Sequence, residues 1–191
     1  WTIPANRAIS YNPKVAYGLY EITDVFTSEE LGFAPWIKVG ERLIIADKLA
    51  EGVLTVAKAK AWKRIRSLDR PGQILFCTHP LLDGDWLKRE GRYAFPVPLL
   101  AGEHVTDDAG TGFVHTAPSH GEDDYEVWIA NKRRLDNYKI ETTIPNTVDE
   151  FGRYTKECPG FEGLEIITLE GKKRGQTTTL VRSGSGRETA T

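Results

Sequence analysis

The sequence predicts a β-rich α+β fold, and three observations predict it. Short apolar or alternating runs recur along the chain, proline and glycine interrupt them at close intervals, and only two stretches carry a helical stripe. At 191 residues with 40% hydrophobic and 10% aromatic content, the chain has material for one domain with a sizeable core. That domain is expected over residues 1–171.

Residues 1–23 alternate short extended pieces around Pro4 and Pro13, and residues 16–22 alternate as a strand. Residues 33–45 read as another, with Gly40 and Glu41 as a turn before Arg42-Leu43-Ile44-Ile45. Asp47 opens a helical pattern in which Leu49, Val53, Leu54, Val56 and Ala57 share a stripe; Gly52 weakens it, and its end is expected near Lys60. Residues 62–76 carry Lys63, Arg64, Arg66 and Arg70 beside Trp62. They read either as a solvated face whose aliphatic stems cover the indole or as a contact for RNA phosphates.

Residues 81–92 are polar and loop-rich, read as variable surface. Residues 93–100 form an extended segment near a sheet edge, because Pro96 and Pro98 cannot donate to a ladder. Residues 124–135 predict the second helix, its basic end Lys132-Arg133-Arg134 matched to the negative end of the dipole. Asp123 or Asp124 would cap it, and Val127, Trp128 and Ile129 would face the core. Residues 140–170 read as strands and turns. From 172 to 191 the text is rich in Thr, Ser, Gly and Arg, a composition that does not offset ordering entropy, so it is expected as a flexible tail.

The chemistry concentrates between Asp108 and Glu126. Gly110 and Gly112 flank Thr111 and permit a tight turn and close backbone approach. Phe113 and Val114 then make a short buried-type strand, His115 ends it, and Pro118 and Gly121 enforce a loop before the helix. Two histidines and three acids thereby meet at a strand-loop-helix corner, a common place for a binding site.

Charge does not identify a partner, since 25 basic and 27 acidic residues nearly cancel. Cys77 and Cys158 make no disulfide framework, which points to a reducing compartment. No run approaches the roughly 20 apolar residues of a membrane span, and no signal peptide is visible. Methionine is absent even at position 1, so the chain is expected to be a fragment of a longer sequence.

Zinc at Cys77, His79, His115 and His120 is disfavoured because the spacing matches no common pattern. Ser119 lacks a nucleophile elbow, and Cys158 lacks activating neighbours. Read alone, Asp124 is a helix cap, His115 a structural histidine, and Thr2 and Asn6 ordinary loop polars.

Three segments carry a resemblance that changes those readings. They are Gly110-Thr111-Gly112-Phe113-Val114-His115-Thr116-Ala117-Pro118 with Asp124, then Trp1-Thr2-Ile3-Pro4-Ala5-Asn6-Arg7-Ala8-Ile9, and Cys77-Thr78-His79-Pro80 with residues 97–106. In their order along the chain they resemble the editing region of isoleucyl-tRNA synthetases, over most of residues 1–170. The resemblance implies a β-barrel-like α+β editing domain with a few peripheral helices, inserted in the catalytic domain of a class I synthetase. It implies hydrolysis of mischarged Val-tRNA(Ile), and of valyl-adenylate, by water attack on an already activated ester.

The resemblance makes Asp124 the partner of the substrate ammonium, with His115 at the amino acid or the terminal ribose. Thr2, Asn6, Gly112 and Thr116 would shape the substrate pocket, and His120 and Asp123 rank as loop surface. No metal or cofactor is expected here, ATP and magnesium serving the parent's other domain. The implied partners are the tRNA(Ile) 3′ end, mischarged valine and the rest of the synthetase, for a cytoplasmic segment that is monomeric when isolated.

A second, smaller pocket has an energetic reason to exist. One methylene separates isoleucine from valine and is worth only about 1–3 kcal/mol in an apolar site, a magnitude for which isoleucyl-tRNA synthetases are themselves the standard example. The family's threonine run precedes the Trp-Thr pair that opens this chain, so one wall of the pocket is expected to be incomplete; Thr177-Thr178-Thr179 is no equivalent. The valyl-tRNA synthetase editing domain, acting on Thr-tRNA(Val), is the nearest alternative. His115 argues against it, because that family usually carries lysine there. A module that only docks the tRNA end is the other.

Overall fold

A computed structural model describes residues 2–68, 76–82 and 93–166. The expected tail at 172–191, most of the surface segment 81–92, and part of the basic stretch 62–76 lie outside them.

Two sheets form the framework. In the first, β1 (Ala8–Tyr11) pairs in parallel with β6 (Val97–Ala101) and antiparallel with β7 (Phe113–Thr116), and β5 (Phe76–Cys77) closes the other side, giving the order β5-β6-β1-β7. In the second, β2 (Tyr17–Val25) lies between β3 (Arg42–Ala46) and β4 (Ala59–Ser67), all antiparallel. The helices are α1 (Ser28–Leu31), α2 (Ala50–Val56) and α3 (Glu122–Asn137). The result is β-rich α+β, as the sequence implies; among the described residues the sheets are two open layers instead of a closed barrel.

Alternation explains the layers. On β2, Tyr20 and Ile22 turn inward with Ile45 of β3, Ala59 of β4, and Ala50 and Leu54 of α2 to make one core. On the first sheet, Ala8 and Leu100 pack against Trp128 and Leu135 of α3. Between the sheets, Tyr11 and Leu99 of the first meet Tyr17 and Ala46 of the second. Backbone closes that seam, with Ala46 N–H donating to the Thr111 carbonyl at 2.9 Å and the Tyr17 hydroxyl to the Gly112 carbonyl at 2.7 Å.

Several expectations need correction. Residues 33–39 are not strand, and only 42–46 pair with β2. The helix after Asp47 begins as a 3-10 turn (Asp47–Leu49) and ends at Val56, because β4 starts at Ala59 after Lys58 takes a positive φ of 69°. Ile129 is 42% exposed, while Trp128 is buried. Neither Asp123 nor Asp124 caps α3: Gly121 is the N-cap and makes no side-chain cap bond. Between 140 and 166 only the isolated bridges Val148–Tyr154 and Arg153–Glu165 pair, since Thr147, Cys158 and Phe161 hold that part through turns and burial. Segment 93–100 lies near a sheet edge as expected, but its strand, β6, starts only at Val97, one place in from the edge, where Pro98 faces the two-residue β5.

Candidate functional site at the end of β7

The N-terminal segment is held across the sheet's end. Ile3–Ala5 forms a 3-10 turn with Pro at its start, and Arg7 N–H donates to the Thr116 carbonyl at 2.9 Å, beside the Ala8–Thr116 pair that ends the β1–β7 ladder. That path brings Thr2 back over β7, where its Oγ1 lies 3.0 Å from His115 Nε2. Two residues 113 apart in sequence therefore meet.

Asp124 sits at the third helical position of α3, and its Oδ2 accepts from Ala117 N–H at 2.9 Å. Ala117 is two residues past His115, so the carboxylate is anchored to the same strand end. Helix α3 presents Glu122, Asp123 and Asp124 in its first turn, where the dipole favours negative charge. Asp124 Oδ1 has no protein hydrogen bond among the described residues, leaving one oxygen available to a cation. His115 and Asp124 are both partly exposed.

The other expected residues enter differently. Asn6 is 3% exposed and its Oδ1 has no hydrogen-bond partner among the described residues, an uncommon state for a buried amide. Thr116 is fully buried and bonds Ser10 Oγ at 2.7 Å, so its hydroxyl serves the sheet. Gly112 has a φ of 80° and lies against the Ala46 side chain, with Tyr17 Cε1 3.2 Å from where a Cβ would stand. It fixes the turn into β7. His120 hydrogen-bonds the Thr147 hydroxyl, and burial pushes its pKa down. Among the described residues, no group of three or more His, Cys, Asp or Glu side chains is placed to hold a metal.

His79 is a residue that sequence reasoning weighed only as a metal ligand. It is 1% exposed, stacks on Tyr93 at 4.6 Å, and meets Phe95 edge-on at 5.3 Å. Its Nδ1 accepts from Leu81 N–H at 3.1 Å, so in the neutral ring Nε2 carries the proton and donates to the Ile3 carbonyl, also 3.1 Å away. Burial lowers its pKa to about 4. This neutral imidazole clamps the residue next to Thr2. The signal in the sequence was the spacing of Cys77-Thr78-His79-Pro80, which carries no hint of a partner near residue 3.

No family model matches the chain. Curated relatives do. An isoleucine-tRNA ligase of Caulobacter vibrioides is 51% identical over 176 residues, covering 92% of this chain and 16% of that protein. The isoleucine-tRNA ligase of Bradyrhizobium diazoefficiens is 46% identical over 186 residues, covering 96% and 17%. That of Brucella suis is 49% identical over 181 residues, covering 91% and 17%. Two solved structures overlay in part. GlLeuRS-CP1 does so at a TM-score of 0.46, with 18% identity, over 74% of this chain and 46% of that one. The P. falciparum cytosolic leucyl-tRNA synthetase editing domain gives 0.42, 10%, 73% and 46%.

By its curated relatives the chain is aminoacyl-tRNA synthetase sequence. Within that class it belongs to the isoleucine-tRNA ligases, as a segment spanning 16–17% of the length of the relatives above.

Proposed function

We propose that this segment is the synthetase's editing domain and hydrolyses mischarged Val-tRNA(Ile), with valyl-adenylate as a second substrate. The observation that carries the proposal is the 3.0 Å contact between Thr2 and His115, beside a carboxylate anchored at Ala117 with one oxygen unengaged. That oxygen of Asp124 grips the α-ammonium by a charge-assisted hydrogen bond. His115 and Thr2 hold the ester end and the terminal ribose, and solvent attacks the carbonyl of a bond that is already activated. Asn6 offers a buried acceptor on the same segment, and Gly112 and Thr116 set the backbone that carries His115. Valine is admitted and isoleucine excluded by size, since every polar contact is common to both.

The proposal gives the site the tRNA(Ile) 3′ end, misattached valine and the remaining synthetase chain as partners, with no metal or cofactor in this step. It places the protein with translation in the cytoplasm, and the segment alone as a monomer. No helix among the described residues is long and apolar enough to cross a membrane.

The test is Asp124→Asn in the full-length synthetase. Asparagine keeps an oxygen for Ala117 N–H and removes the charge. Deacylation of Val-tRNA(Ile) should fall roughly 10- to 100-fold in kcat/KM, the scale of one charged hydrogen bond, with little change in melting temperature. Unchanged deacylation with weaker RNA binding would instead make the segment a docking module.

A further inference from the structure

Arg7 is a charged side chain that makes no ion pair among the described residues. It is partly buried, and removal from water is the largest influence on it, lowering its pKa. Its Nη1 reaches only carbonyls of its own segment, Asn6 at 2.9 Å and Pro4 at 3.4 Å. The Phe95 ring covers the guanidinium, with Cζ 4.8 Å from the centroid. Glu157, Tyr93 and Cys158 favour its charged form from longer range. Among the described residues no carboxylate forms an ion pair with it. Burying a cation is costly unless it is paired, and a guanidinium whose Nε–H and Nη2 edge is unengaged offers the fork that matches a tetrahedral oxyanion.

Its position connects that fork to the site. The ladder pairs Ala8 with Thr116 and Ile9 with His115, and Arg7 N–H donates to the same Thr116, so the Arg7 backbone lies one residue past His115. Ala117, the residue after Thr116, is the anchor of Asp124. The Arg7 backbone is thus bonded to Thr116, between His115 and the anchor of Asp124.

We infer that Arg7 binds a backbone phosphate of the tRNA 3′ end as it enters this site. The inference rests on the editing reading above. In an aminoacyl ester the amino-acid carboxyl is esterified and the amine is cationic, so the phosphodiesters are the anions left for a guanidinium to meet.

The experiment uses full-length synthetase with Arg7→Gln and Arg7→Lys. Deacylation of Val-tRNA(Ile) and binding of uncharged tRNA(Ile) are measured across a salt series. Arg7→Gln should raise KM about 10-fold with kcat within about twofold. It should also flatten the dependence of log kcat/KM on log salt by about 0.7, the share of one single-stranded phosphate contact. Arg7→Lys should keep the slope while losing the fork. An unchanged KM and slope would overturn the assignment, as would a fall in kcat or melting temperature with the slope intact, which marks a packing role. If the wild-type enzyme does not deacylate at all, the editing reading fails by itself. The binding slopes then still decide on Arg7: a difference of about 0.7 supports the contact, and equal slopes end it.

Discussion

At the scale of single residues, the site depends on hydrogen bonds that join distant parts of the chain. Thr2→Val keeps the shape of the side chain and removes the hydroxyl that His115 meets. Deacylation by the full enzyme should drop about 10-fold, close to the value of one hydrogen bond, with the melting temperature unmoved. A rate within twofold, on the order of experimental scatter, would exclude that contact from the reaction. Asp124 was read as a candidate site residue because it follows His115 at the resemblance's spacing. What the sequence could not show was its anchor. An acid ahead of a helix reads as a cap, yet Gly121 takes that position in extended backbone, and the carboxylate reaches back past the loop to Ala117. Orphaned Asn6 and clamping His79 were likewise invisible, since burial and partner are facts of three dimensions.

At the scale of elements, the turn into β7 decides whether His115 faces Thr2. Gly112 combines a left-handed φ with direct contact on Ala46, so Gly112→Ala adds a strained backbone and a collision with Tyr17 and Ala46 together. Stability should fall by roughly 2–3 kcal/mol, read as a lower urea midpoint with an unchanged m-value. A variant as stable as the parent would mean the seam between the sheets is looser than described. Strands with ordinary alternation, such as β2, were readable in the sequence because one face is buried. β4 was not. Only Ala59 is buried along it, and its pattern is written in charge: Lys60 pairs with Glu30, Lys63 with Glu21 and Arg64 with Asp47. The basic stretch read as solvated face or RNA contact is thus partly an edge strand tied to neighbouring acids. Such surface pairs contribute little each, but they set which face looks outward.

At the scale of the whole molecule, acid should loosen the site through His79. Its folded pKa, near 4, lies below the ordinary value of 6.5, so the folded protein takes up the proton less readily than the unfolded chain. The stability that goes with a neutral His79 is therefore fully present above pH 6.5 and is lost as pH falls towards 4. The loss is on the order of 3 kcal/mol. Glu21, Asp47 and Glu141, held below the usual carboxylate range by their hydrogen-bond partners, act in the same direction at lower pH. Comparing melting temperatures of the parent and His79→Gln between pH 7 and pH 4 isolates the imidazole, and the parent should lose more. Parallel curves would remove His79 from the account. The fold class and the broad arrangement of strands were readable along the chain because local patterning fixes them. The parallel β1–β6 pair and the return of Thr2 over β7 were not, because both depend on contacts far apart in sequence.

The central claim is a metal-free site in which one carboxylate grips an amine beside an imidazole while solvent cleaves the ester. A crystal structure of the segment with a non-hydrolysable valyl-adenosine analogue tests it most directly. The account predicts the analogue's ammonium within hydrogen-bonding distance of Asp124 Oδ1, and its ribose or acyl group against His115 and Thr2. An analogue bound elsewhere, with Asp124 and His115 facing no common ligand, would contradict it.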